Sequence, residues 1–398
     1  MRFSTVTALS SFVDLPFEEK AALGLLFTPA EIAQQPSTWR RTISIFEEHQ
    51  ARIASFLDAA GVRDAPEERP SIVLIGAGTS DYVAQALQSL LRQKWGCQVS
   101  AVASTDLLPN LDEYVVPGRN YLWISFSRSG DSPEGVAVLE QALQRHPHIS
   151  HIVVTCNAEA RMAALCQGVN HAYVIVLDDS VNDRSLAMTS SFTNMIIMGQ
   201  CLANAWSIES YKLLLEAMVS AGDVLLLSAE RQADEIAKRN LARICFVGDG
   251  PLASVAKESA LKVLEMTAGQ IKTMSETVLG LRHGPMAALD KETLFVCFVS
   301  GDRRRAQYAR DLLREIGQKN VVAERLVVGP LSAEQGICAD CDFYLPINVG
   351  VDDAYRPVLD VIFGQLVGLY CSVAHQLRPD SPSAGGVINR VVQKFQIY

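Results

Sequence analysis

The chain has 398 residues, 49% of them apolar and 20% charged, the balance of a globular protein long enough for two cores; a disordered or fibrous chain is excluded. Its formal charge of −9 and isoelectric point near 5.4 exclude a general nucleic-acid binder, whose surface would be basic, so any anion site must be local. Nine cysteines, odd in number and irregularly spaced, read as reduced thiols and not as a disulfide framework.

The N-terminus has Arg2 but no uninterrupted apolar run before Asp14, Glu18 and Glu19. It does not read as a signal peptide, and a cytoplasmic location is expected. A leader of helical pattern follows, punctuated by Pro16, Pro29 and Pro36, and Arg63 to Pro70 reads as an exposed connector. The apolar run Ile72 to Ile75 then ends in Gly76-Ala77-Gly78-Thr79-Ser80-Asp81, and a second run, Tyr121 to Ile124, ends in Ser125-Phe126-Ser127-Arg128-Ser129-Gly130-Asp131-Ser132. A strand followed by a small, hydroxyl-rich turn at a helix N-terminus gathers short hydroxyls and free backbone N–H groups on one point, which is how an α/β protein holds an anion. The pattern G-x-x-x-x-G-K-[ST] is absent, so the turn suggests a phosphorylated metabolite and not a nucleoside triphosphate.

The chain repeats itself. Ile72 to Gly78 resembles Ile244 to Gly250, an offset of 172 residues from Gly76 to Gly248, and the same offset carries the strand ending at Phe126 onto Thr293 to Phe298. Short Val/Ile-rich runs alternate with helical stretches in both copies, the signature of doubly wound parallel sheets with their ligands at the carboxyl ends of the strands. The predicted class is therefore α/β, as two tandem modules, each a parallel sheet flanked by helices. The expected boundaries are a helical leader over 1–50, a sugar-phosphate-binding first module over 51–210, a second module over 211–375, and a tail over 376–398 that completes the active site.

Other features weigh less. In Gly76 to Asp81 a carboxylate occupies the place where a dinucleotide fold needs a small neutral residue, and Gly248-Asp249-Gly250-Pro251-Leu252-Ala253 matches that fold only in its first two glycines. Both read as tight strand-to-helix turns, and no nicotinamide or flavin is expected. Cys338-Ala339-Asp340-Cys341 lacks a second pair or nearby histidines, so no metal is expected there. The most apolar window, Val358 to Leu377, contains Asp360, Gln365, His375 and Gln376 and predicts a buried helix instead of a membrane span. Beyond Pro379, Pro382, Gly385 and Gly386, the apolar residues of Val387 to Val392 predict a docked chain end.

Several polar residues admit two readings on spacing alone. Any one of Ser127, Ser129 and Ser132 could be a helix cap, but three after one strand favour phosphate. Glu265, three residues after Lys262 in a helical stretch, predicts a solvated i, i+3 ion pair. His283, beside Gly284-Pro285, reads as a loop residue, and Asp183-Arg184 is either a sugar-pocket pair or a structural one.

Taken together, Gly76 to Ser80, Ser125 to Ser132 and Leu281-Arg282-His283-Gly284-Pro285 resemble the sugar isomerase (SIS) domain family over most of both modules, and Glu31 to Pro36 is similar to the segment preceding the isomerase half of glucosamine-6-phosphate synthase. Asn182 to Thr193 and Val387 to Gln393 are similar to the branch called tagatose-6-phosphate ketose/aldose isomerase, whose members act as galactosamine-6-phosphate deaminase/isomerases. The resemblance implies phosphate ligands at Ser80, Ser127, Ser129 and Ser132, with Thr79 beside them, a proton-shuttling base at Glu265, and ring opening assisted by His283 across a dimer interface. Asp183, Arg184 and Ser190 are candidate sugar-pocket residues, Asp183 and Arg184 with the structural pair as their alternative; the synthase has a lysine where Ser190 stands. The synthase's C-terminal lysine falls at Gln393, with Lys394 next to it. There is no room for the synthase's glutaminase domain, so release of ammonia is the expected direction. The implied protein is a cofactor-free homodimer or higher oligomer with a shared active site, binding a small sugar phosphate and neither nucleic acid nor membrane. Glucosamine-6-phosphate deamination and simple ketose/aldose phosphate isomerisation are the enzymatic alternatives, and a non-catalytic sugar-phosphate sensor is the alternative from another class.

Overall fold

The structure, a computed structural model, describes residues 8–383, 385–393 and 395–398. Four helices open it: α1 (Ser10–Val13), α2 (Phe17–Leu23), α3 (Thr28–Ala33) and α4 (Gln35–Ala59). The leader's prolines start helices instead of breaking them. Pro16 is the N-cap of α2, and Pro29 sits in the first turn of α3, where a missing N–H forfeits no intrahelical bond.

Two runs of strand and helix follow. The first comprises β1 (Ser71–Gly76), α5 (Thr79–Trp95), β2 (Val99–Ala103), α6 (Ser104–Leu107), β3 (Tyr121–Ser127), α7 (Pro133–Arg145), β4 (Ile149–Thr155), α8 (Arg161–Leu165), β5 (Ala172–Val176) and α9 (Ser190–Ala203). After the long α10 (Glu209–Ala237), the second comprises β6 (Arg243–Gly248), α11 (Pro251–Met266), β7 (Lys272–Glu276), β8 (Thr293–Phe298), α12 (Arg303–Lys319), β9 (Glu324–Pro330), α13 (Leu331–Ile337), β10 (Phe343–Ile347) and α14 (Pro357–Ala374). The sheets are ordered β2-β1-β3-β4-β5 and β10-β9-β8-β6-β7, which is one topology used twice, and every pairing is parallel. β3 and β8 are buried along their whole length, as central parallel strands covered on both faces must be.

The chain parts into two compact units. The first-sheet unit contains Ser37–Asn182, Ser190–Leu215 and Ile388–Tyr398; the second-sheet unit contains the leader up to Pro36, Asp183–Thr189 and Glu216–Val387. In the first, Val73, Ile75, Trp123, Val138 and Ile149 form one core cluster. Helix α4 is tied to α9 there by polar contacts: Trp39 Nε1 donates to Thr193 Oγ1 at 3.0 Å, Thr42 Oγ1 to Asn194 Oδ1 at 2.7 Å, and Asn194 Nδ2 to Thr38 Oγ1 at 2.8 Å. In the second unit α12 is amphipathic. Its buried Ala309, Leu312, Leu313 and Ile316 follow helical spacing onto a cluster with Cys245, Phe295 and Val327. Helix α14 has a mean hydropathy of 1.6, enough to cross a membrane, but it is 89% buried within the protein and its apolar surface serves the core. None of the nine cysteines is in a disulfide among the described residues.

The duplication extends to backbone detail. Gly78 and Gly250, the N-caps of α5 and α11, have φ/ψ of 55°/−124° and 57°/−129°, a conformation side chains rarely tolerate, so the glycine pattern makes turns in both modules. Helix α9 reaches α5 at Gly199 against Leu87, and α14 reaches α11 at Gly364 against Ser259. A Cβ on Gly364 would lie 2.2 Å from Ser259 Oγ and 2.8 Å from its Cα, so backbone as well as side chain must yield. Gly364→Ala should therefore destabilise the protein by about 1–3 kcal/mol, the range for overpacking a close-packed interior. Urea unfolding of the variant checks this, and unchanged stability would show that the α11–α14 contact is looser than described.

Candidate active site

Two turns stand at the carboxyl edge of the first sheet. Strands β1 and β3 are hydrogen-bonded neighbours, so the N-termini of α5 and α7 follow adjacent strand ends. Each helix N-terminus carries about half a positive charge in unsatisfied N–H groups. Thr79 and Ser80 are buried in the first turn of α5, and Ser127 is buried at the end of β3. The Gly130 N–H donates to Ser127 Oγ at 3.1 Å and the Asp131 N–H to Ser129 Oγ at 3.2 Å, which shapes the turn and leaves each hydroxyl its own proton to donate. Ser132 occupies the N-cap position of α7, but its side chain makes no capping hydrogen bond. The capping explanation therefore does not account for it.

The turn is braced from behind. Cys156 N–H donates to Arg128 O at 3.0 Å and Asn157 Nδ2 to Ser129 O at 3.0 Å, while the Asp131 carboxylate accepts from Arg161 N–H at 2.9 Å at the start of α8. Arg128, which the sequence reading passed over, is buried and donates to the carbonyl of Arg390 in the tail. Arg390 in turn donates to Asn182 Oδ1 at 2.8 Å. The tail is thus anchored by polar groups. Its apolar side chains are not taken into the core, contrary to the docking expected from their character: Val387 is 87% and Val392 54% exposed. Gln393 is among the described residues and Lys394 lies outside them.

The second-sheet unit carries the acid–base candidates. Lys262 on α11 lies 2.7 Å from Glu265 and 3.3 Å from Glu258, one turn to either side of it on a single helix face. The expected pair of Lys262 and Glu265 is present, but it is not solvated: the side chains of Lys262 and Glu258 are 1% and 0% exposed, and only Glu265, at 24%, reaches solvent. The reason is that α11 packs on both β6 and α14, which the i, i+3 spacing alone cannot reveal. Burial pushes the Lys262 pKa down, but Glu258 and Glu265 outweigh it and the net shift is upward, so the ammonium stays charged. The spacing of Glu258, Lys262 and Glu265 along one face of a largely buried helix was the available signal. His283 is exposed on the loop after β7, where its N–H donates to Gly280 O at 2.9 Å, and the adjacent Arg282 fixes that loop to α12 through Glu315 at 2.7 Å.

Asp183 and Arg184 are used differently from one another. The buried Asp183 carboxylate accepts from Thr189 N–H at 2.8 Å and Thr189 Oγ1 at 3.2 Å, closing the segment on itself. The exposed Arg184 offers its backbone N–H to Glu31 at 2.5 Å, and Ser185 donates its hydroxyl to the same carboxylate. Ser190, buried at the start of α9, accepts at its carbonyl from Asn194 Nδ2 at 2.9 Å. Burial first, and then the nearby Asp183 charge, push the Glu31 pKa up to about 7. A carboxyl raised on folding binds its proton more tightly in the folded state, so its contribution is present at low pH and declines as pH rises from about 4.5 to about 7. Glu31→Gln should remove that decline, and the stability of the variant relative to the parent should rise across this window. Parallel unfolding profiles against pH would contradict it.

Comparison with known proteins places these features in a family. The SIS domain matches residues 67–205. The D-galactosamine-6-phosphate deaminase AgaS of a Shewanella strain is 32% identical over 96% of this chain and 95% of its own. The crystal structure of tagatose-6-phosphate ketose/aldose isomerase from Escherichia coli is 32% identical, with a TM-score of 0.83 over 91% of this chain and 95% of that one. The C-terminal domain of glucosamine-fructose-6-phosphate aminotransferase from Francisella tularensis, 18% identical with a TM-score of 0.74 over 88% of this chain and 97% of that one, shares the fold. Near-complete coverage at that identity, on a duplicated parallel fold with its hydroxyl turn after β3, means that the chain belongs to the SIS-domain family, in the branch of the AgaS-like galactosamine-6-phosphate deaminases and tagatose-6-phosphate ketose/aldose isomerases.

Proposed function

We propose that the protein deaminates and isomerises an amino-sugar 6-phosphate, converting galactosamine 6-phosphate and water to tagatose 6-phosphate and ammonia. The observation that carries this reading is the hydroxyl turn of Ser127, Ser129 and Ser132 beside Thr79 and Ser80, at two helix N-termini on adjacent strands, in a chain related over its whole length to a galactosamine-6-phosphate deaminase. In this reading the turn holds the phosphate and supplies orientation remote from the reacting carbons.

The chemistry then needs one mobile proton at a time. His283 assists opening of the sugar ring, since an imidazole has one ring nitrogen that can donate a proton and one that can accept it. Glu265 takes the proton from C2 and delivers one to C1 through an enolamine. The C2 ketimine that results adds water and loses ammonia. Hydrogen moves from C2 to C1 and nitrogen is exchanged for oxygen at C2, so no external oxidant or reductant enters the balance, and the reading includes no cofactor. Lys262, held between Glu258 and Glu265, keeps the Glu265 carboxylate aimed. The protein acts in this reading as a cytoplasmic homodimer, with His283 serving the partner's site.

Ammonia release from galactosamine 6-phosphate and glucosamine 6-phosphate, measured side by side with identification of the ketose product, tests the proposal. Release from the galacto epimer with tagatose 6-phosphate as product is expected. Release only from the gluco epimer would rename the substrate, and saturable binding without ammonia from either would make the protein a sensor. Glu265→Gln should lower kcat by roughly 10²- to 10⁴-fold while leaving sugar-phosphate binding intact. Ser129→Ala, which removes one hydrogen bond to a charged group, should raise KM by roughly 10- to 100-fold; unchanged KM would move the phosphate elsewhere.

A further inference from the structure

The second module repeats the hydroxyl turn. Ser300-Gly301-Asp302 matches Ser129-Gly130-Asp131, and each serine lies two residues beyond its strand, β8 or β3. The local geometry matches as well. Asp302 N–H donates to Ser300 Oγ at 3.0 Å, as Asp131 N–H does to Ser129 Oγ at 3.2 Å. What differs is the group that meets the turn. In the second module the carboxylate of Asp353, 4% exposed, accepts from the Ser300 hydroxyl, from Gly301 N–H at 2.8 Å, from Arg305 Nη1 at 3.2 Å and from Arg356 Nη1 at 3.0 Å. A hydroxyl, a backbone N–H at the entry to a helix and two guanidinium groups, all aimed at one oxyanion, are the donor set of a phosphate site. A cleft of about 420 Å³, lined by Gly301, Asp302, Arg305 and Asp353, opens onto the carboxylate.

We infer that the turn after β8 is an anion cradle whose ligand is the chain's own Asp353, and that removing this carboxylate uncovers a second site for a small oxyanion of the phosphate class. Asp353 stands in for the anion: it carries the charge and accepts the bonds that a phosphate monoester would. In the first module the acidic residue of the turn cannot do this, because Asp131 is committed to Arg161 N–H and Asn157 Nδ2. Arg356 remains paired with Asp360 at 2.6 Å whichever anion is present, and Arg305, 43% exposed, keeps Asp302 within 3.9 Å, so losing Asp353 frees the Ser300 hydroxyl, the Gly301 N–H and one guanidinium contact of each arginine. The duplicated fold thus presents one turn to ligand and seals the other internally.

The experiment compares full-length Asp353→Ala with Asp353→Asn, each in the parent and in a Ser129→Ala background, by thermal unfolding against inorganic phosphate, with potassium chloride at matched ionic strength as control. Asp353→Ala should unfold at lower temperature than the parent and recover in a saturable, phosphate-dependent way that chloride does not reproduce. Asp353→Asn, which still fills the cradle, should show no added response. An Asp353→Ala protein that gains no more from phosphate than Asp353→Asn overturns the inference, and so does one that fails to fold with or without phosphate. The contrast between the two variants can be read whether or not Ser129 binds phosphate, so failure here and failure of the first-module site are distinguishable.

Discussion

Parallel pairing of β1 with β3 is the constraint on which the candidate phosphate site depends. In a parallel sheet every strand leaves by the same edge, and each exit leads into a crossover helix that packs back on the sheet. Two neighbouring exits therefore deliver two helix N-termini and their first-turn side chains to one edge. An antiparallel neighbour would place one of the turns at the opposite end of its strand. Short side chains then matter more than charged ones. Short hydroxyl side chains such as those of Ser127, Ser129 and Ser132 meet an anion at no cost in buried charge, whereas an isolated buried ammonium or guanidinium costs several kcal/mol unless paired.

The second-sheet unit uses the same architecture for the opposite electrostatic purpose. It buries charge: Lys262 between Glu258 and Glu265, and Arg356 between Asp353 and Asp360. Such clusters seldom stabilise a fold beyond what well-packed apolar groups would give, because desolvation offsets the Coulomb attraction. Their value is positional. A buried ammonium that contacts a fully buried and a partly exposed carboxylate holds the exposed one in one place, at the end of a chain of short contacts. The Asp353 cluster does the same for a loop, joining the turn after β8 to the first turn of α14. One module has kept its cradle open to small molecules while the other has internalised its anion.

This division suits a reaction that transfers protons without net oxidation. In the proposed reaction, binding energy is drawn from a phosphate that does not react, and acid–base work from a carboxylate held in place by a buried neighbour. The same fold in distant relatives at 18% identity shows how little of the sequence the architecture itself requires.

The duplication, the α/β class and the hydroxyl turn were all legible in the sequence, because each is written in local order: strand-length apolar runs, glycine at the strand exits, and serines at fixed distances from Phe126. Local order also carried the helical leader and the buried character of α14, whose polar interruptions Asp360 and Gln365 mark a helix inside a protein. What the sequence did not disclose was burial at long range. Lys262 and Glu265 read as a surface pair until α14 closes over α11, and the apolar tail read as docked although its Val387 and Val392 side chains stay exposed and the polar Arg390 meets the buried Arg128. Asp353 lies far from Ser300 in sequence, and no spacing rule joins them. Periodicity reports which face of an element is apolar; only the tertiary structure decides what covers that face, and so which charges lose their water and must find each other.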